Sequence, residues 1–143
     1  VLVSQILKDK GDMVFTASPG DTVSAVAALL HSRRVGAMIV VDDDGGVAGI
    51  VSERDIVTMV ARQGAASLGR PISDAMTSKV VYADIGETVD ELLARMTDRR
   101  IRHLPVMTDG RLTGIVSIGD LVKHKISEVV AEADGLRAYI AAG

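Results

Sequence analysis

Two short stretches of this sequence hold the residue types that could do chemistry. They are Ser52-Glu53-Arg54-Asp55 and Ser117-Ile118-Gly119-Asp120, each directly after a Gly-Ile-Val run. Serine and aspartate at that spacing have two uses. The serine can cap a helix while the acid three residues on bonds back to the serine N–H, a capping box. The same groups can also meet a ligand: a carboxylate accepts hydrogen bonds from hydroxyls, and a helix start favours phosphate through its exposed N–H groups and dipole. The two uses are compatible, because a capping serine can also touch a ligand.

The elements around each motif must bring it to a helix start, and they do so twice. Val23, Val26, Ala27 and Leu30 form the i, i+3, i+4, i+7 face of a helix, and Val89, Leu92, Leu93 and Met96 repeat it 66 positions later. Arg33-Arg34 near the first helix end is matched by Arg99-Arg100, where cations suit the helix dipole. The apolar run Ala37 to Val41 predicts a buried strand, Asp42 to Gly46 a hairpin turn, and Val47 to Val51 the returning strand. After the second turn, Asp109-Gly110, the offset falls to 65, which aligns Gly114, Ser117 and Asp120 with Gly49, Ser52 and Asp55. A helix from about Ser52 to Arg62 closes the first repeat.

Ser4 to Leu7, a brief helical turn, is mirrored by Ser73 to Met76, 69 positions later. A loop from Lys8 to Asp12 follows the first of these, and a small-residue linker from Gln63 to Pro71 precedes the second. Short strands are expected at Met13 to Thr16 and Val80 to Ala83. The tail from Ser127 to Ala142 reads as helical, with a break near Asp134-Gly135. This is an internal duplication of a β-α-β-β-α plan. The fold class is α/β (α+β), two such repeats packed with pseudo-twofold symmetry. The repeats are expected at 1–66 and 67–130, with a C-terminal helical tail at 131–143. Units of this size are marginal alone, so a shared core is expected.

Composition narrows the function classes. Of 143 residues, 16 are Lys or Arg and 19 Asp or Glu, a net charge of −3 that gives no general attraction to nucleic-acid phosphates. The absence of cysteine excludes disulfides, thiolate metal sites and cysteine nucleophiles. No apolar run is long enough to span a bilayer, and the N-terminus lacks a signal-peptide pattern, so a cytoplasmic location is expected. Asp42-x-Asp44 with Glu53 imitates a calcium loop, but Gly46 and Val47 stand where a ligand and a glycine are required. The three histidines show no metal-ligand spacing, and nothing partners the carboxylates as a nucleophile. No catalytic or metal site is expected.

Over residues 3 to 127 the chain resembles a tandem pair of cystathionine-β-synthase-type (CBS) domains, also called a Bateman module. The resemblance rests on Gly-Ile-Val-Ser-x-x-Asp twice, Ala-Met-Ile-Val-Val-Asp and His-Leu-Pro-Val before the hairpins, Gly-Asp-Thr-Val and Gly-Glu-Thr-Val opening the helices, and Ala-Met-Thr-Ser-Lys-Val-Val. The closing stretch is similar to stand-alone bacterial members.

The resemblance implies a regulatory module, not an enzyme, that binds adenine nucleotides (AMP, ADP, ATP or an NAD-type dinucleotide) in clefts between paired domains. It also implies a disc-shaped homodimer acting on a regulated protein still to be identified. Asp55 and Asp120 would accept hydrogen bonds from ribose hydroxyls, and Ser52 and Ser117 would face phosphate. Arg54 could clamp a phosphate where the second motif has Gly119, and Arg102 and His103 would supply positive charge to the second site. Adenine contacts would come from Thr16, Ala37, Met38, Thr77, Lys79, Val80, Leu104 and Pro105. Open alternatives are that the serines and aspartates only cap helices, that His103 is a surface histidine, and that Pro105 marks an edge or strand start. The competing function is a constitutive dimerisation scaffold with vestigial clefts.

Overall fold

The computed structural model describes residues 2–11 and 14–142. Asp12 and Met13, read above as a loop end and a strand start, lie outside the described residues, as do the chain ends 1 and 143. The elements run α1 (Val3–Lys10), β1 (Thr16–Ala17), α2 (Val23–Arg33), β2 (Ala37–Val41), β3 (Val47–Ser52), α3 (Glu53–Gln63), β4 (Ala83–Asp84), α4 (Val89–Arg99), β5 (His103–Thr108), β6 (Arg111–Ser117) and α5 (Ile118–Ala142). A short 3-10 turn at Ala65–Gly69 lies in the linker, and a second at Ile72–Asp74 overlaps the turn expected at Ser73 to Met76. Each repeat builds a three-stranded sheet, β1-β2-β3 or β4-β5-β6, with one parallel and one antiparallel pairing.

The packing units do not follow the linear repeats. One compact unit is the continuous segment Val14–Val80; the other joins Val1–Met13 to Val81–Gly143. Each has its own apolar core. In the continuous unit Val23, Val26 and Leu30 of α2 pack with Met38, Val40, Val51, Ile56, Met59 and Ile72. In the discontinuous unit Val3, Ile6 and Leu7 of α1 join Val89, Leu92, Met96, Leu104, Val106, Val116 and Leu121. Each core takes in the lead-in segment of the other linear repeat.

Backbone bonds clip these segments in place. Val3 and Ser4 donate to the carbonyls of Glu87 and Ile85, while Ile72 donates to Asp21 and Val23 to Arg70. Glycine makes room for them. A Cβ on Gly49 would lie 2.7 Å from Met76 Sδ and 2.8 Å from the Thr77 carbonyl oxygen; on Gly114 it would lie 2.6 Å from Leu7 Cδ2. The glycine of each Gly-Ile-Val-Ser motif is a packing requirement.

The structure corrects several local expectations. Lys8 to Lys10 are helical, not loop, and the helix stops one residue later at Gly11, whose φ of 93° favours glycine and whose N–H reaches the Leu7 carbonyl. The first strand of each repeat is a two-residue piece, displaced toward the C-terminal side of the apolar run. Phe15 and Val81 in those runs pack on the cores, and the ladder forms only where β2 or β5 lies alongside. The tail has no break at Asp134-Gly135, because α5 is continuous over 25 residues. An interior glycine costs a helix only about 1 kcal/mol, and Ala131, Ala133 and Ala138 are strong helix formers on both sides.

Replacing Gly49 with Ala is expected to destabilise by about 1–3 kcal/mol. Gly114→Ala should cost less, because its obstacle is a side chain while Gly49 faces a backbone carbonyl as well. Urea unfolding of the two variants checks the order.

Candidate functional site

Both serine–aspartate pairs sit where a strand turns into a helix. At the first, Ser52 N–H donates to Asp55 Oδ2 at 2.9 Å, Ser52 Oγ donates to the same oxygen at 3.1 Å, and Asp55 N–H donates to Ser52 Oγ at 3.3 Å. At the second, Ser117 N–H donates to Asp120 Oδ2 at 2.9 Å and Asp120 N–H to Ser117 Oγ at 3.1 Å. Both are complete capping boxes. In each the cap uses Oδ2, so Oδ1 is the oxygen left to other donors. Among the described residues no hydrogen bond to Oδ1 of either aspartate is made.

The strands bring further expected residues to the same end of each sheet. In the continuous unit Ala37 lies opposite Ser52 and Met38 opposite Val51, with Glu53 N–H bonded to the Gly36 carbonyl. Thr16 pairs with Ile39 on the neighbouring strand, and Thr77 exchanges two backbone bonds with Ile50, at 2.8 and 3.0 Å. Thr16, Ala37, Met38, Ser52, Asp55 and Thr77 are thus positioned by one sheet end. Arg54 and Lys79 are exposed and Val80 is half-buried; neither cation is ion-paired to Asp55 among the described residues.

In the discontinuous unit His103 faces Ser117, Leu104 faces Val116 and Pro105 faces Ile115, and Ile118 N–H donates to the Arg102 carbonyl. That bond makes His103–Ser117 and Pro105–Ile115 non-hydrogen-bonded pairs, so the ring nitrogen of Pro105 points away from β6. Proline therefore costs this hairpin ladder nothing. Pro105 is buried in the central strand of its sheet, so the edge-strand alternative is set aside.

One residue at the second motif was absent from the sequence reading. Lys10, at the end of α1, places Nζ 2.6 Å from Asp120 Oδ2 and 2.9 Å from the Ile115 carbonyl oxygen. Ile115 aligns with Ile50, whose carbonyl accepts the Thr77 N–H. The same acceptor is thus met by a backbone amide in one unit and by an ammonium in the other. Partial burial of Asp120 works against its charge, but the Lys10 ammonium and the Ser117 donors outweigh it and hold the carboxyl below its usual range. The nearest sequence signal was a lysine three residues after the apolar turn Ile6-Leu7. Its partner is 110 positions away, beyond the reach of any spacing rule.

The CBS domain family profile matches residues 7–62 and again residues 72–127. The chain belongs to the CBS domain family. A CBS-domain protein of Agrobacterium tumefaciens, ATU1752, is 47% identical over 87% of this chain and 92% of its own, with a TM-score of 0.85. The CBS domain pair of protein MJ0100, solved with 5-methylthioadenosine and S-adenosyl-L-methionine, is 26% identical, with a TM-score of 0.79, over 90% of this chain and 98% of its own. PAE2072 of Pyrobaculum aerophilum, solved with AMP, is 27% identical, with a TM-score of 0.75, over 84% of this chain and 89% of its own. Among the described residues no helix is long and apolar enough to cross a membrane, and no three acidic or histidine side chains group to hold a metal ion.

A depressed aspartate pKa stabilises the fold above the unfolded value of about 3.9 and stops doing so as pH falls through the folded one. Wild-type protein should therefore melt higher than Lys10→Met at pH 6, and the gap should close as the buffer is taken below about pH 4. Paired melting curves across that range check the sign.

Proposed function

We propose that this CBS pair is a regulatory module that binds adenine nucleotides at its serine–aspartate motifs and reports an energy or metabolite state to a partner protein. The observation that carries the reading is the division of labour within each carboxylate: Oδ2 builds the helix cap and Oδ1 is available for ligand hydroxyls. Two relatives crystallised with adenine-containing ligands, AMP in one and S-adenosylmethionine in the other, support that ligand class. In this reading Asp55 and Asp120 take the ribose hydroxyls, Ser52 and Ser117 face the phosphates, and Arg54 with Arg102 and His103 supplies positive charge. Backbone groups at Thr16, Ala37, Met38, Thr77 to Val80, Leu104 and Pro105 take the base.

The two motifs are unequal. Arg54 belongs to the first alone, and Lys10 engages Asp120 alone, so a nucleotide fills the Asp55 site first and must share or displace Lys10 at the second. The protein works as a homodimer in the cytoplasm and has no catalytic reaction of its own. Regulation requires that the nucleotide bind two states of the module unequally.

The complete capping boxes favour one other reading, a constitutive scaffold in which both motifs only cap helices. Asp55→Asn separates the two readings, because the amide oxygen still accepts the Ser52 N–H while the negative charge is gone. A thermal-shift series with AMP, ADP, ATP, NAD and S-adenosylmethionine, and GMP as control, is the first measurement. A ligand at 100 times its Kd adds about 2.7 kcal/mol, or roughly 5–10 °C in a chain of this size. Adenine ligands are expected to raise melting and GMP not to. Asp55→Asn should lose most of the shift while melting normally without ligand. If no adenine ligand shifts nucleotide-free protein, the scaffold reading replaces this one.

A further inference from the structure

The C-terminal half of α5 extends past the family match, which ends at residue 127, and carries an apolar face that the chain itself leaves uncovered. Val122, Ile126, Val129, Leu136 and Ile140 are all exposed, from 41% at Val122 to 68% at Ile140. Their spacing is regular. Val122, Ile126, Val129, Ala133, Leu136 and Ile140 advance in alternating steps of four and three, a heptad seam with Ile126, Ala133 and Ile140 at a and Val122, Val129 and Leu136 at d. Over residues 122–140 Lys123, Lys125 and Arg137 are balanced by Glu128, Glu132 and Asp134, so the segment has no net positive charge to hold it on an anionic lipid surface.

Charge complementarity selects the occupant. In a parallel pair of these helices, Glu132 at g faces Arg137 at e of the other strand, and by symmetry this opposite-charge contact forms twice. An antiparallel pair centred on the same seam sets Glu132 against Glu132 and Lys123 against Arg137, like charges in both places. Arg137 is well exposed, and its ion pair among the described residues is with Asp134 at 3.8 Å, so it can turn to a second strand. We infer that residues 122–140 of α5 dock on the same segment of a second copy of this chain as a short parallel coiled coil. This takes up the homodimer part of the preceding reading and is independent of its nucleotide part. A seam of under three heptads with alanine at its centre gives a modest, concentration-dependent association.

The test uses the full chain. Sedimentation velocity over a roughly hundredfold concentration range compares wild type with Leu136→Glu, an exposed position whose change leaves both cores intact. Circular dichroism melts check that the fold is kept. Wild type is expected to dimerise and Leu136→Glu to weaken the dimer at least tenfold. The chain has no cysteine, so Ala133→Cys gives one thiol per copy at the middle a position, and air oxidation should yield a disulfide dimer only if the helices run parallel and in register. If Leu136→Glu dimerises like wild type, another surface holds the dimer and the coiled coil is wrong, although the homodimer reading stands. If wild type is monomeric throughout, both fall. Rapid dimerisation without disulfide formation by Ala133→Cys would overturn the parallel arrangement.

Discussion

A lead-in segment has to come within contact distance of the strand before each serine, and the rest of each unit depends on that approach. At Gly49 the intruder is Met76-Thr77, bonded in both directions to Ile50; at Gly114 it is Leu7 of α1. Any Cβ there would collide. With the hydrogen in place the lead-in segment seals one side of the core, and the strand runs straight into its helix cap. The serine and aspartate are therefore held by three things at once: the β2–β3 or β5–β6 register, the close approach behind them, and the reciprocal cap in front. A carboxylate fixed in this way gives up little rotamer freedom when it meets a ligand.

Equivalent scaffolding does not make equivalent electrostatics. The carbonyls of Ile50 and Ile115 occupy matching places, yet one accepts a main-chain amide that cannot leave without unfolding a turn. The other accepts a lysine ammonium at the end of a flexible stem. Because Lys10 also meets Asp120, the second carboxylate is neutralised from within its own unit, while the first has no cation paired to it among the described residues. Duplication thus preserved the frame and let the charge diverge. From Val23 to Asp55 and its repeat the offset changes once, from 66 to 65 in the hairpin turn, where change is tolerated.

Most of this frame was legible because it is written in local signals. Thr22, Ser52 and Thr88 cap their helices as their positions suggest, and the α2 and α4 faces bury Val23, Val26 and Leu30, or Val89, Leu92 and Met96, as the period requires. The Arg34 and Arg100 ends adopt the left-handed conformation, φ 54° and 55°, which a search for glycine stops would miss. Tertiary partnership was not legible. Amphipathic spacing in α1 says that Val3, Ile6 and Leu7 need a core, but nothing local says that the core belongs to residues 81–121. The Lys10–Asp120 pair is hidden for the same reason. Gly135 misled in the other direction, since its cost is too small to stop a helix that good formers continue on both sides.

The discontinuous unit has a consequence for how the protein is made. During synthesis every residue of the Val14–Val80 core is present once that one continuous segment has emerged. Helix α1 emerges before that unit and is housed after it, because Leu104, Val116 and Leu121 lie about a hundred residues downstream. At translation speeds of 5–20 residues per second, it waits roughly 5–20 s with Val3, Ile6 and Leu7 unprotected. Short length and the charged residues Lys8, Asp9 and Lys10 keep so small an apolar face from becoming a trap. The order of emergence therefore makes the partners of the Asp55 motif available before those of the Asp120 motif.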